Sequence, residues 1–574
     1  MRKPLEKAAK ALLRYPKTKR CVQTRDQSLA IQSNPRSLLL EPLQVECPFK
    51  LRPQNQVDPK KKLPSVEENK SSVPKSDAGA AESCQPFSSV PSPPGLPLVG
   101  CLFDFIKSGG GSQLHEHSRQ RHCQLGPIYK ENIAGQEVLY VSDPSFYADV
   151  TRYEGNFPAS FKPDAFKLYH SETDSVRNDG VFFKEDEDWW ALRKPLNDTM
   201  LKRLNCNKTL PLVMSSFEQY LTEVLQKWEG IVKSRSGNLP NVETELFELG
   251  FAGAARVVLG NQFVTNWGRL NKDLSFVLHA AENVTKENCK MLAFPASVAK
   301  KFRTKTWKNF EKSMAELVQT CKDISELCAI DVVKNSSNPD FGYHEGGILY
   351  RLHTEANLPV KSMTDAACGF LATPDPISTT LKWIFFCLGR HPKVQEQIYQ
   401  EIQQVCGPKT PVTSFHLEDL KFVKMTLKEV MRLYPSAPFL ARNLQEESII
   451  GGYKIPAKQI VALSLYTSHR DAKYFRDPLL FWPERWSRKA DDNSSSPNNH
   501  KLAGVMEPSA FRPFGFGKRS CVGKIFAEAT MQLIIARTVQ QFRLHSEEVQ
   551  PVMKTLLLPD RPLTVNLEKR DTPA

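Results

Sequence analysis

The sequence predicts a mainly α-helical fold with a small β portion, and three observations carry that expectation. Stretches at 212–232, 242–260, 274–290, 305–330, 361–404 and 416–434 place apolar residues three or four apart, the spacing of a helix with one buried face. Alternation of period two is confined to short runs such as Glu137–Val141 and Ile460–Leu463, enough for a small sheet. The 574 residues are 40% hydrophobic and include 32 Phe, ample for a large core, yet no run of 18 apolar residues is present to span a bilayer.

Taken from the front, residues 1–40 carry ten Lys/Arg against only Glu6 and Asp26, with Leu5, Ala8, Ala9, Leu12 and Leu13 at helical spacing up to Pro16. A basic, amphipathic, acid-poor start has the composition of a mitochondrial presequence. It holds more than half of the formal net charge of +14, so the bulk of the chain lacks the basic surface of a nucleic-acid binder. Residues 41–92 are rich in Ser, Pro, Glu and Lys and read as a disordered linker. One domain is expected over 93–574, opening on Pro91–Pro97. The 13 cysteines include no C-x-x-C pair, which fits neither a disulfide framework nor a zinc module and points to a reducing compartment.

Within the domain, Ser108–Ser112 reads as a turn because it lacks the Gly-Lys-Ser/Thr of a phosphate loop. His115, His117, His122 and Cys123 match no zinc spacing and are expected on an exposed first helix. A polar stretch at 487–510 interrupts the later part of the domain.

The segment Phe511–Gly523 carries the chemistry. Gly515 and Gly517 permit positive φ and close approach of backbone to a flat ligand. Cys521 lies just before a helical run at 524–542, whose N-terminal dipole favours an anionic thiolate and hence a metal. Gly523 leaves room for a planar group, and Arg519 supplies a fixed cation for a carboxylate. A plain glycine-rich turn with a buried cysteine would explain one or two of these features but not their combination.

In Phe514, Gly517, Arg519, Cys521 and Gly523 the segment resembles the haem-binding loop of the cytochrome P450 family. The resemblance implies a single haem-enclosing domain of the P450 fold, haem b as cofactor, Cys521 as axial thiolate of its iron, and Phe514 shielding the sulfur. Glu429 and Arg432 match the family's Glu-x-x-Arg, and Arg485 matches the arginine joined to it in a structural triad. Trp189 and Arg193 match its Trp-x-x-x-Arg and are implied to hold a haem propionate, with Arg442 a further candidate that could equally be a surface charge.

The mitochondrial branch of the family is implied by Lys424 and Lys428, four apart on one helical face, at the positions those members use to dock an acidic ferredoxin. Solvated surface lysines are the alternative. Lys524 stands where that branch has the first of two arginines, and Ile525 at the second. Electrons would then come from NADPH through ferredoxin reductase and ferredoxin, on the matrix side of the inner membrane, with peripheral membrane contact.

The family's oxygen-activating Ala-Gly-x-Asp-Thr-Thr aligns with Ala372-Thr373-Pro374-Asp375-Pro376-Ile377. The acid survives as Asp375, whereas the threonine is replaced by Pro376, so Thr373 or a water would relay protons and the two prolines should kink the helix. A helix degenerate in this way resembles that of arthropod ecdysteroid C-2 hydroxylases. The implied activity is O2-dependent hydroxylation of a hydrophobic, steroid-like substrate, an ecdysteroid precursor. A haem-thiolate isomerase or dehydratase that needs no external electrons is the alternative enzyme, and a haem-binding scaffold without turnover is the non-catalytic one.

Overall fold

Stop signals as much as periodicity set where the helices begin and end. The computed structural model describes residues 84–171, 180–202, 209–234, 237–293, 295–372, 376–488 and 502–570. The expected presequence and residues 41–83 of the expected linker lie outside the described residues. The described chain starts folded: Gln85–Pro86 pairs in parallel with Tyr453–Lys454, ahead of the proline segment.

Helix α1 (Leu114–Leu125) corrects one expectation, because it is not exposed but buries a face of His115, His117, Ser118 and His122. At His117 and His122 hydrogen-bond partners replace water. His117 lies 3.1 Å from Glu131 Oε1 and 2.8 Å from Ser108 Oγ. His122 lies 2.9 Å from the Gly126 carbonyl and 3.0 Å from Ser464 Oγ, and His115 packs edge-on against Tyr466. The hairpin of β1 (Ile128–Ile133) and β2 (Gln136–Val141) turns on Ala134-Gly135, both at positive φ, the geometry of a two-residue hairpin loop.

A helical layer follows: α2 (Asp186–Leu196), α3 (Thr209–Ser234), α4 (Val242–Leu259), α5 (Leu274–Ala293), α6 (Lys305–Asn335) and α7 (Tyr343–Thr354). In α4, Gly253 lets the Phe217 ring of α3 pack so closely that a Cβ would stand 2.8 Å from it. Trp228, Trp307 and Phe310 are fully buried between these helices.

The long pattern at 361–404 is not one helix but three: α8 (Val360–Leu371), α9 (Pro376–Arg390) and α10 (Pro392–Cys406). Pro376 and Pro392 each head a helix, where the missing N–H costs nothing. From Ile377 to Gly389, α9 is buried all round, which makes it the central helix. Next, α11 (Lys421–Leu433) begins later than the expected 416, after a one-turn helix at Ser414–His416 capped by Thr413.

Strands β3 (Phe439–Asn443) and β4 (Ile460–Ser464) complete a four-stranded sheet of order β1-β2-β4-β3. In it β2 and β4 run parallel, with Leu139 opposite Val461, and the other pairs antiparallel. The ends of the polar stretch meet at an Arg488–Leu502 bridge; 489–501 lie outside the described residues. Helix α12 (Lys524–Gln541) then leads into β5 (Phe542–Ser546), which pairs with the last strand, Val565–Lys569. Among the described residues no helix is long and apolar enough to cross a membrane. The fold is mainly α with small sheets, and it brings α2, β3 and the N-terminus of α12 around one loop.

Candidate active site

That loop owes its shape to backbone bonds. The N–H of Gly515 donates to the Arg512 carbonyl (3.0 Å), that of Ser520 to Gly517 (3.2 Å) and that of Cys521 to Phe514 (2.8 Å). Gly515 and Gly517 have φ of 71° and 69°, the left-handed region that favours glycine. At Gly523, the N-cap of α12, a Cβ would come within 2.5 Å of the Phe526 ring.

Cys521 retains exposed surface, yet the protein around it is dense enough that burial pushes its thiol pKa up. The Gly523 N–H and the Arg193 guanidinium oppose that shift and favour the thiolate. A single soft thiolate, on a loop where Gly515, Gly517 and Gly523 carry no side chain, suits haem iron.

Its cations decide whether a carboxylate-bearing cofactor fits. On α2, Trp189 and Arg193 lie one turn apart, both buried. Arg193 Nη2 donates to the Ser520 carbonyl (2.6 Å) and Nε to Asn197 Oδ1 (2.7 Å). Burial lowers its pKa to about 10, which leaves it charged at neutral pH, and among the described residues it has no ion-pair partner. A buried, uncompensated guanidinium beside the thiol calls for an anion. A haem propionate meets that demand, so the residues fit the cofactor.

The other two arginines are already engaged. Arg519 stacks 4.1 Å over Trp189, pairs with Glu185 at 2.7 Å and donates to the Pro158 and Lys184 carbonyls. Arg442, on β3, is buried rather than a surface charge; it pairs with Glu154 at 2.7 Å and lies over the Phe516 ring. Glu154 and Glu185, which the sequence reading did not single out, thus fix both arginines against the loop.

Glu429, Arg432 and Arg485 form a fully buried cluster behind it. Glu429 accepts from Arg432 at 2.8 and 3.0 Å, from Arg485 Nε at 2.9 Å, from the Trp482 N–H at 2.9 Å and from Trp486 Nε1 at 3.0 Å. Every remaining guanidinium N–H of both arginines faces a carbonyl: His469, Pro478 and Leu480 for Arg432, and Arg476, Gly504, Asp477 and Leu480 for Arg485. His469 is buried beneath, Nδ1 3.1 Å from the Arg432 carbonyl.

Lys424 and Lys428 share one face of α11, which packs on α12. Lys428 Nζ lies 5.6 Å from the Trp486 ring and Lys524 Nζ 5.8 Å from that of the half-buried Phe514. Glu528, one turn after Lys524, feels all three lysines, although burial raises its pKa. Thr373 and Asp375 lie outside the described residues. Of the neighbouring hydroxyls, Thr380 Oγ1 donates back to the Pro376 carbonyl at 2.7 Å.

The sequence model of the family described as cytochrome P450 matches residues 90–567. Among similar proteins is cytochrome P450 315a1, mitochondrial, of Drosophila melanogaster, 28% identical over 84% of this chain and 88% of that protein. Cytochrome P450 10 of Lymnaea stagnalis is 26% identical over 99% of each. The mitochondrial cholesterol side-chain cleavage enzyme of Equus caballus is 26% identical over 84% and 90%. In fold, the chain is similar to a retinoic acid bound cyanobacterial CYP120A1, with a TM-score of 0.64 at 20% identity over 85% of this chain and all of the other. A cysteine loop whose cations suit haem, in a chain matched along most of its length, leads to the conclusion that this protein belongs to the cytochrome P450 family of haem-thiolate monooxygenases.

Proposed function

We propose that the chain is a mitochondrial hydroxylase of a steroid-like substrate, an ecdysteroid precursor oxidised at C-2, supplied with electrons by ferredoxin. The observation that carries the reading is the Cys521 loop with the uncompensated Arg193 beside it. The substrate class is supported by the proline-interrupted helix pair α8/α9, as in ecdysteroid C-2 hydroxylases, and by relatives named as mitochondrial and as cholesterol side-chain cleavage enzymes. Haem on Cys521 supplies the redox chemistry that activates O2 for insertion of one oxygen atom. With haem bound, Arg193 and Trp189 would hold a propionate, Phe514 would keep water from the sulfur, and Asp375 with Thr373 or a water would move protons. Leu96, Leu98, Phe103 and Ile106 stay exposed near Lys107 and suit peripheral contact with the matrix face of the inner membrane.

A spectral-shift screen of the haem-loaded protein with a steroid panel that includes 2-deoxyecdysteroids tests the substrate. The reading requires binding and NADPH-dependent product; absence of a shift with every steroid overturns the substrate class. The broken distal helix also suits an isomerase or dehydratase, and conversion without NADPH would establish that alternative.

Two further outcomes are expected. Lys424→Glu combined with Lys428→Glu raises the ferredoxin KM about tenfold at low salt and less at high salt, with substrate affinity unchanged. Ferredoxin titrations at two ionic strengths check it. Asp375→Asn slows proton delivery by about 10²-fold and diverts electrons to peroxide, with haem content and melting temperature unchanged. Product formed per NADPH consumed reads the loss; a fall in stability at unchanged coupling assigns Asp375 to the backbone groups around the prolines instead.

A further inference from the structure

We infer that residues 180–185 form a strap that fixes the end of α8, and that Lys184 and Asp365 are positioning residues for the distal side of the haem site. The need for such a device follows from the break. Helix α8 stops at Leu371, where the Ala372 N–H closes on the Cys368 carbonyl at 2.8 Å, and α9 starts at Pro376. Neither Pro374 nor Pro376 has an N–H to carry the ladder across. An unbroken helix would hold its first half through its second; here α8 must be located from outside.

The strap does this from one side of the helix. Gly180, at φ 90°, and Gly369 of α8 touch backbone to backbone: a Cβ on Gly180 would stand 2.3 Å from Gly369 Cα, and one on Gly369 2.6 Å from Gly180 Cα. Asp365 is one turn before Gly369 and therefore on the same face. Its carboxylate lies 3.3 Å from Lys184 Nζ, and both side chains are largely buried. Between these two contacts the strap is a tight turn, with the N–H groups of Phe183 and Lys184 donating to the Gly180 carbonyl.

Its other side is tied to the cysteine loop. Arg519, two residues before Cys521, donates to the carbonyls of Val181 (3.4 Å) and Lys184 (3.2 Å) and pairs with Glu185. Lys162 adds a bond to the Phe183 carbonyl at 2.6 Å and an ion pair to Glu185. The strap therefore connects the thiolate loop to α8 directly, and Lys184–Asp365 is its polar fastening to that helix.

The inference rests on the haem-thiolate site and not on the ecdysteroid reading, and its test uses the haem-loaded full chain with imidazole and 4-phenylimidazole as probes. Lys184→Gln and Asp365→Asn should each raise hydrogen exchange of peptides covering 360–371 by about fivefold or more. Each should also change the 4-phenylimidazole Kd by about fivefold or more, with the Kd of the smaller imidazole within about twofold. Lys184→Asp combined with Asp365→Lys should restore both. Unchanged exchange, equal changes for both probes, or no rescue by the reversed pair overturns the inference, as does loss of haem loading in both single variants, which would make the pair a folding contact. If no steroid binds in the screen above, these readouts are unaffected, so the two failures are distinguishable.

Discussion

Cys521→Ala is expected to abolish the thiolate-type absorption band of the reduced carbon-monoxide complex and to reduce monooxygenase turnover to background. The chain should still fold, because the loop is closed by backbone bonds that alanine keeps, including the Cys521 N–H to the Phe514 carbonyl at 2.8 Å. Among the described cysteines, Cys321, Cys328 and Cys387 cannot take over, because burial pushes their thiols well up, the opposite of what an anionic ligand needs. Cys321→Ala with Cys521 kept is the control and should leave the band intact. A variant at 521 that keeps the band would mean that the ligand lies elsewhere.

Glu429→Ala is expected to have the largest effect on stability. It removes the one carboxylate that Arg432 and Arg485 share, leaving two guanidiniums with no exposed surface and no counter-charge. Breaking a buried pair costs about 3–5 kcal/mol, a large share of the 5–15 kcal/mol that holds a typical domain together. Glu429→Gln keeps the shape and should fare little better, since an amide supplies only half the acceptors and no charge. Urea midpoints and the yield of haem-loaded protein measure the loss. For contrast, Asp198→Ala, which breaks the exposed pair with Lys202, should cost less than about 1 kcal/mol. Equal effects of the two substitutions would remove the triad from its structural role.

How much of this was legible in the sequence depended on whether the information was local. Period and spacing reveal helices, and i,i+3 spacing places Glu429 beside Arg432 whatever the tertiary fold. The pattern at 361–404 runs past its helix ends because Pro392 is compatible with the period it ends; only its position at the head of a new helix marks the boundary. The histidine face of α1 looks exposed in the sequence because periodicity counts histidine as polar, whereas partners at Glu131, Gly126 and Ser464 let His117 and His122 enter the core. Pairings such as Glu154 with Arg442, or Lys184 with Asp365, have no sequence signal at all: each joins residues far apart along the chain, and only the topology of the fold brings them together.

The buried histidines also make the fold a proton acceptor in waiting. In the folded protein burial pulls His115 and His122 down to about 4 and, with Arg432 and Arg470 close by, His469 down to about 3. An unfolded chain would take up those protons near pH 6.5. Between these limits the unfolded state binds more protons, so the contribution to stability is complete above pH 6.5 and is lost as the pH falls towards 3–4. Each ring can remove about 1.4 kcal/mol per pH unit. The molecule is thus matched to neutral or alkaline surroundings, and acidification would reach it first through α1 and the floor of the Glu429 cluster, not through the thiolate loop.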